Sequence, residues 1–338
     1  MDVRLRTTSA WGTPNWQLLR AAHRPELRPA LRVGFGLAIP GIVLLILGHG
    51  ELMVYAVFGS VVGMYGRNPN RLQRLKDQAL AAAMMLAAGI SAIFIAPWHL
   101  APWPFLAAGI MVALCSSLCS DRFGLKPGGS FFPLFAFGAL GSLPVGEQLA
   151  TSGLAAFVLT AMFSIVLGQT ARFVGSERRN TGRGLPWQEI LRRAGCYGCV
   201  VLLAGSIAML LGVDHLAWVM ASAVVPLAAG NARGRLSRGA HRVAGTVAGL
   251  LVLLGIYSLQ LPEVWLGLAV IFLMFPTEGY MTRNYGLALS FFTPQIMLML
   301  ELADPSVDAS VMLERALANL LGVSAGILGA LFFDPKQR

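Results

Sequence analysis

Apolar residues occur in long runs, separated by short polar stretches, along nearly the whole chain. Runs of about 17–25 apolar residues are typical of helices that cross a bilayer, where the backbone must be hydrogen-bonded within the segment. The pattern therefore predicts an all-α integral membrane protein with twelve transmembrane helices, although several runs are shorter than about 20 residues. The runs cover residues 33–48, 52–65, 78–96, 101–119, 129–145, 150–171, 194–212, 215–229, 243–260, 262–277, 284–302 and 310–333.

The connection at residues 230–249 is strongly basic and leads from one apolar run into the next. A chain that goes from apolar to basic and directly back to apolar leaves a membrane on its cytoplasmic face and re-enters it. With both termini inside and the connections alternating, every one of the 26 lysines and arginines except Arg315 falls on the inner side. We therefore predict a multi-pass protein of the cell inner (plasma) membrane with both termini cytoplasmic. The arginines of the connection are Arg233, Arg235, Arg238 and Arg242.

Composition supports the membrane class and excludes others. Of the 338 residues, 56% are hydrophobic and 12% are charged, whereas soluble domains carry about 25% charged residues. The net charge of +10 would suggest a nucleic-acid partner in a soluble protein, but the orientation rule for membrane loops explains it better, so no nucleic acid is expected. The chain has no phosphate-binding glycine loop and no nucleophile elbow, and we expect neither an enzyme nor a cofactor. Its cysteines lie in or beside apolar runs, where packing is their usual role, and no metal is expected.

Two sequence echoes suggest that the chain is built twice. At an offset of 164 residues, Gly66, Arg71, Leu72 and Arg74 match Gly230, Arg235, Leu236 and Arg238. A Ser-Phe-Phe motif followed by proline also opens both the fifth run, at 130–133, and the eleventh, at 290–294. Because six spans is an even number, both halves would enter the membrane in the same direction, as two parallel six-helix repeats. Chance similarity of inner helix ends is the alternative explanation.

This organisation divides the chain into four parts. Residues 1–32 form a basic cytoplasmic N-terminal segment, and residues 33–172 form the first six-helix membrane repeat. A cytoplasmic linker at 173–192 leads to the second six-helix repeat at 193–338. The first half and the second half of the chain are residues 33–172 and 193–338.

Three segments of the second half carry a family resemblance. They are His215-Leu-Ala-Trp218, then Arg238-Gly-Ala-His-Arg242-Val-Ala-Gly245-Thr246-Val-Ala-Gly249, and Arg283-Asn-Tyr285-Gly-Leu-Ala288-Leu-Ser-Phe-Phe-Thr293. With them, residues 215–302 resemble the membrane domain of the fusaric acid resistance family, which includes bacterial aromatic acid exporters and, more distantly, plant aluminium-activated malate channels. The resemblance implies a six-helix bundle used in pairs and export of organic anions across the inner membrane. The first half matches weakly.

A substrate site is predicted around an arginine and two proline-marked spans. Arg242 lies where the ninth span begins, and an arginine facing a cavity can hold a carboxylate bidentately. Pro133 and Pro294 mark spans that we expect to be broken near mid-membrane, where exposed backbone needs a wet cavity. Kinked helices with ordinary aromatic packing are the alternative. The candidate substrate-binding residues are Arg242, Thr246, Thr293, Gln295, Ser290, Ser130, Phe131 and Phe291.

The remaining polar candidates lie at the two membrane faces. Arg71, Arg74, Arg235 and Arg238 are interpreted as a positive funnel that concentrates anions at the inner mouth. The alternative is that these arginines only set the orientation of the chain in the membrane. Two polar pairs lie at the outer ends of spans: His49 with Glu51, and Asp214 with His215. They are interpreted either as proton relays or as ordinary polar turns. No carboxylate is predicted near mid-membrane, and Glu314 and Arg315 are the nearest charged pair.

These observations predict an inner-membrane exporter of small organic, aromatic acids, driven by an ion gradient or by the membrane potential. A channel-like anion conduit and a membrane scaffold without transport activity are the alternatives. The expected partners are membrane lipid and the substrate anion, with a periplasmic adaptor protein as a further candidate.

Overall fold

The computed structural model describes residues 26–65, 68–95, 102–143, 147–170, 185–213, 215–229, 232–305 and 310–333. All regular secondary structure in these ranges is helical, which confirms the all-α prediction. The helices of the first half are α1 (Leu27–Ile46), α2 (Met53–Val61), α3 (Arg71–Ile95), α4 (Pro102–Phe123), α5 (Phe131–Gly141) and α6 (Glu147–Thr170). Those of the second half are α7 (Trp187–Leu210), α8 (Leu216–Ala223), α9 (Ala232–Tyr257), α10 (Glu263–Met281), α11 (Tyr285–Ala303) and α12 (Ser310–Phe333).

Nine of these helices are long and apolar enough to cross a membrane, and three are not. The short ones are α2, α5 and α8, which with their flanking turns cover Gly50–Met64, Phe131–Gly141 and Leu216–Ala228. A span needs about 20 residues at 1.5 Å rise per residue. The prediction of twelve spanning helices therefore holds, by length and composition, for nine helices of the part that the structure describes.

The short helices form the interior of the protein together with α11. Every residue of α2 and of α8 is buried, as are ten of the eleven residues of α5, and α11 is buried over most of its length. The eight other helices are longer, and most of them expose large apolar side chains such as Phe94, Leu159 and Phe272. A short helix can end at membrane depth only where protein covers its end. The backbone groups freed at that end then form hydrogen bonds with protein, which lipid cannot offer.

The proline-marked helices are not broken where the sequence suggested. Pro133 is the third residue of α5, within the first turn, where the missing N–H would have no helical partner in any case. Pro294 lies inside α11, which continues through it from Tyr285 to Ala303. What distinguishes α5 is its small length of 11 residues, and this was not visible in the apolar run at 129–145.

The two halves meet through reciprocal helix contacts. The first helix of each half packs against the fourth helix of the other, as α1 against α10 and α7 against α4. In the interior, α5 packs against α8 and α2 against α11. Within each half, the second helix packs on the sixth and the third on the fifth, which gives the pairs α2–α6, α8–α12, α3–α5 and α9–α11.

The contact between α8 and α12 is a close approach of two backbones. A Cβ atom at Gly322 would meet the carbonyl oxygen of Val219, and one at Gly326 would meet that of Ala223. Small residues of this kind let helices in membranes approach closely. The approach matters for the site described below, because both helices contribute side chains to it.

We expect Gly322→Ala to lower the melting temperature of the purified protein, since overpacking a tight contact costs about 1–3 kcal/mol. Gly255→Ala is the matched control, because Gly255 lies in helix α9 with no atom within 4 Å of the added Cβ. That change should leave stability unaltered or raise it by about 0.5–1 kcal/mol through helix propensity. Thermal unfolding in detergent measures both variants. Equal melting temperatures for the two would contradict the close approach.

Candidate anion site

Arg242 lies near the middle of α9 and is buried, with 2% of its surface exposed. It lies ten positions after Ala232, the first residue of α9, or ~15 Å along the axis. Its Nε donates to Oδ1 of Asn319 on α12 at 3.1 Å, and its Nη2 lies 3.4 Å from Oγ of Ser222 on α8. The Ser222 hydroxyl in turn donates to Asn319 Oδ1. Arg242 is thus held by neutral oxygen atoms from two other helices.

A second arginine, Arg315, lies on α12 one turn before Asn319 and is 1% exposed. Its guanidinium carbon is 3.8 Å from the ring centre of Trp218 on α8. Its Nη1 reaches Sδ of Met297 at 2.8 Å, and its Nε has no hydrogen-bond partner in the described residues. Thioether sulfur is a weak acceptor, so Nε and Nη1 of this side chain both lack a strong acceptor.

Neither arginine has a carboxylate partner among the described residues. The nearest acidic side chain in sequence, Glu314, turns to His215 instead, with Oε2 2.7 Å from Nε2. Asn319 joins the two arginines, because its amide nitrogen donates to the carbonyl oxygen of Arg315 at 2.9 Å while its oxygen accepts from Arg242.

Two buried cations without counter-ions are costly. Desolvation of one charged side chain costs on the order of several kcal/mol, even after the surroundings relax. The cation–π contact of Arg315 with Trp218 offsets part of this, by about 2 kcal/mol. The hydrogen bonds of Arg242 to neutral oxygens likewise offset part of its own desolvation cost. The arrangement therefore favours occupation by an anion, which would supply the missing charge.

Aromatic rings from both halves lie beside the arginines. Phe131 of α5 has its ring centre 5.3 Å from the guanidinium carbon of Arg242. Phe135, one turn later, is 5.7 Å from Phe131 and 5.4 Å from Trp218, measured between ring centres. Phe292 of α11 packs on Phe135 at 5.6 Å. Aromatic faces are negative and attract cations, so these rings suit both the arginines and a flat apolar ligand.

The second half of the chain is similar to a known protein family. Residues 203–329 match the family model described as "Fusaric acid resistance protein-like". The predicted resemblance is thereby confirmed for the second half. No curated protein and no solved structure matches the chain significantly. The matched residues of the fusaric acid resistance-like region include both arginines, Asn319, Ser222 and Trp218, whereas Phe131 and Phe135 lie outside it.

The structure brings together only some of the predicted substrate-binding residues. Arg242 and Phe131 touch, and Thr246 is buried one turn after Arg242 on the same helix. Thr293 packs against Gly249, where α9 and α11 meet, and Gln295 donates from Nε2 to the carbonyl oxygen of Val270 on α10 at 3.2 Å. These two residues take part in helix packing within the second half.

The other predicted residues also make local contacts. The Ser290 hydroxyl donates to the carbonyl oxygen of Leu287 in its own helix at 2.7 Å, and Phe291 stacks on Tyr280 of α10. Ser130 is fully buried just before α5, and its hydroxyl has no hydrogen-bond partner in the described part of the chain. Of these three, only Ser130 keeps an unused polar group.

The predicted funnel arginines divide into buried and exposed pairs. Arg74 is 1% exposed and donates to the carbonyl oxygens of Asn68 at 2.7 Å and Gln169 at 3.5 Å, and Arg235 is 3% exposed and donates to that of Ala330 at 3.0 Å. Both therefore fasten the start of one helix to the end of another. Arg71 and Arg238 are exposed, and Arg238 lies over the ring of Tyr285.

The predicted polar pairs lie at the opposite helix ends. His49 Nδ1 is within hydrogen-bond distance of Glu51 Oε1, at 2.9 Å. His215 pairs with Glu314, a partner that the sequence did not suggest. Asp214 lies outside the described residues.

The sequence does not predict the roles of Asn319, Ser222 and Trp218. It places Arg315 on the outer side, with Glu314 at the start of the last span, and the structure has it buried in the second turn of α12 and apart from Glu314. A usable signal was present. An arginine inside the apolar run 310–333, followed four residues later by asparagine on the same helix face, is unusual in a membrane span and indicates a functional position.

We expect Arg315→Met to raise the melting temperature of the ligand-free protein, because replacing an uncompensated buried charge by an apolar side chain of similar length is worth about 1 kcal/mol or more. Arg122→Met serves as the control, since Arg122 is exposed at the end of α4. Thermal unfolding in detergent without added carboxylates measures the effect. A marked fall in melting temperature for Arg315→Met, with no change for Arg122→Met, would mean that the charge already has a counter-ion.

Proposed function

We propose that the chain exports small organic, aromatic anions across the cell inner membrane, along a path between its two halves. The observation that carries the proposal is the pair of buried arginines, Arg242 and Arg315, with no carboxylate partner among the described residues. An ionisable residue at membrane depth is a functional candidate because its burial is costly. The fusaric acid resistance-like match over 203–329 supports a role in efflux in general.

The charge of the site suits the membrane potential as a driving force. The potential contributes ~2.3 kcal/mol per elementary charge per 100 mV, and an inside-negative cell drives anions outward. Cationic side chains in the pathway lower the barrier that an anion meets in the bilayer interior. The exposed Arg71 and Arg238 extend this positive field to the helix ends that we assign to the cytoplasm.

The aromatic rings beside the arginines favour aromatic acids over aliphatic ones. A flat ring packs on Phe131, Phe135 or Trp218 with about 0.5–1.5 kcal/mol beyond its simple burial. Because these rings come from both halves, relative motion of the halves would change the site. This is the arrangement expected for alternating access, in which one repeat moves against the other.

We further propose that the two halves are parallel repeats. Arg74 links the start of α3 to the end of α6, and Arg235 links the start of α9 to the end of α12, each over 95 residues of sequence. Under this proposal Arg74 corresponds to Arg235, and not to Arg238 as the offset of 164 implies. The reciprocal packing of α1 on α10 and α7 on α4 supports the same relation.

Asn319→Asp provides a test of the central observation. The new carboxylate would lie on Arg242 Nε, where Asn319 Oδ1 already accepts a hydrogen bond, and would neutralise one of the two charges. We expect the melting temperature to be unchanged or higher, and efflux of aromatic carboxylates from proteoliposomes to fall by about tenfold or more.

The matched control is Asn284→Asp. Asn284 caps the N-terminus of α11 by accepting from the backbone N–H of Leu287, and aspartate caps helices equally well. Its efflux should equal that of the wild type. If Asn319→Asp also transports at the wild-type rate, the arginine pair does not carry the anion. Electrical recording separates the two transport modes, since a channel gives a current that reverses at the anion equilibrium potential, whereas a carrier gives saturable flux.

The predicted topology is tested by reporter tags. Both termini are expected on the cytoplasmic face, because the arginines of the connections then lie inside. A tag at either end should be protected from protease added to intact spheroplasts and cut after lysis. Tags on opposite faces would contradict the parallel repeats and the assignment of the inner mouth.

A further inference from the structure

We infer that Arg242 and Arg315 form one binding site that selects flat dianions, with a negative group at each end, over monoanions. The inference rests on the proposed function and names the substrate class of that same site. Three features support it: the charge of the site, the guanidinium donors that lack a strong acceptor, and the aromatic surface formed by the rings of Phe131, Phe135 and Trp218 between the two guanidinium groups.

The site carries two positive charges and no negative one among the described residues. Both guanidinium groups are buried, and the polar side chains around them, Asn319 and Ser222, are neutral. A monocarboxylate would neutralise one arginine and leave the other buried without a counter-ion. A ligand with two carboxylates would neutralise both, and carboxylates are fully ionised at neutral pH.

Each arginine has N–H donors for which a carboxylate would be a stronger acceptor than the present partner. Arg315 offers an Nε without acceptor and an Nη1 that meets only the sulfur of Met297. Arg242 gives its Nε to a neutral amide oxygen at 3.1 Å and lies 3.4 Å from the Ser222 hydroxyl. A carboxylate offers a full negative charge and two oxygens that a guanidinium can bind together, which the amide, hydroxyl and thioether do not, so exchange for a carboxylate is favourable at both ends.

A continuous aromatic surface runs from one arginine to the other. Arg242 lies over Phe131 at 5.3 Å, and Arg315 lies over Trp218 at 3.8 Å. Phe135 connects these two rings, at 5.7 Å from Phe131 and 5.4 Å from Trp218. A flat, rigid spacer lying along this surface would hold one carboxylate near each guanidinium. An aromatic dicarboxylate has this shape, and it loses little internal freedom on binding.

The probes are benzene-1,4-dicarboxylate, benzoate, cyclohexane-1,4-dicarboxylate and sulfate, added to the purified full-length chain in detergent. Calorimetry gives the affinity, and the shift of melting temperature gives an independent readout of binding. We expect the aromatic dicarboxylate to bind at least tenfold more tightly than benzoate, about the gain from one further charge-assisted contact. It should also bind more tightly than its saturated analogue and than sulfate.

Arg315→Gln should lower the affinity for the aromatic dicarboxylate to about that of benzoate, a loss of about tenfold, while benzoate binding changes less than about threefold. Arg315→Met is the second variant, and its melting temperature in the absence of ligand reports whether the fold persists. Arg122→Gln, at the exposed end of α4, is the control and should bind all four probes as the wild type does.

Each alternative result has a distinct meaning. Equal affinity for benzoate and the dicarboxylate, with both lost in Arg242→Gln, would overturn the dianion inference and leave the proposed function intact. Equal binding of sulfate, or of the saturated diacid, would overturn the role of the aromatic surface. If none of the probes binds to the folded protein, both this inference and the proposed export of aromatic acids fail.

Discussion

The structure depends on how it holds positive charge inside a largely apolar protein. Arg242 and Arg315 lie in the interior of the second half, where water does not screen them and where no acidic side chain of the described residues approaches them. Their neighbours offset only part of the desolvation cost: an amide, a hydroxyl, a thioether and two aromatic rings. A fold selected for stability alone would place leucine or methionine at these positions. The proposed anion site rests on this uncompensated charge.

The helix arrangement makes this placement possible. The short helices α5 and α8 lie in the interior, so their residues face protein on all sides. Backbone contact between α8 and α12, through Gly322 and Gly326, brings Ser222 and Trp218 next to Asn319 and Arg315. Packing of α5 on α8 adds the phenylalanines of the other half. The site thus lies where the two halves meet, and a change in their relation would reach it directly.

The buried arginines differ in their hydrogen-bond partners, so burial alone does not identify an anion-binding site. Arg74 and Arg235 are as buried as Arg242, but their guanidinium groups donate to the carbonyl oxygens of Gln169 and Ala330 at helix ends. The C-terminal end of a helix carries partial negative charge, so such an arginine already has an electrostatic partner. Among the described residues, the guanidinium groups of Arg242 and Arg315 contact neutral and aromatic side chains and no carboxylate, and this difference in partners is why we propose a binding role for them alone.

The sequence by itself determined the class of protein, the positions of most helices and the candidacy of Arg242, because hydropathy and loop charge follow directly from composition along the chain. It also indicated the family of the second half through the motif around Arg242. It already made the runs of α2 and α8 the shortest of the twelve, but it did not reveal that α5 has only 11 residues, since an apolar run does not show where a helix ends within it. Only the tertiary structure joined Arg315, Asn319, Ser222 and Trp218 to Arg242, and only it directed Thr293 and Gln295 into helix packing. These contacts link residues far apart in sequence, and whether a charge has a partner depends on such contacts and not on local pattern.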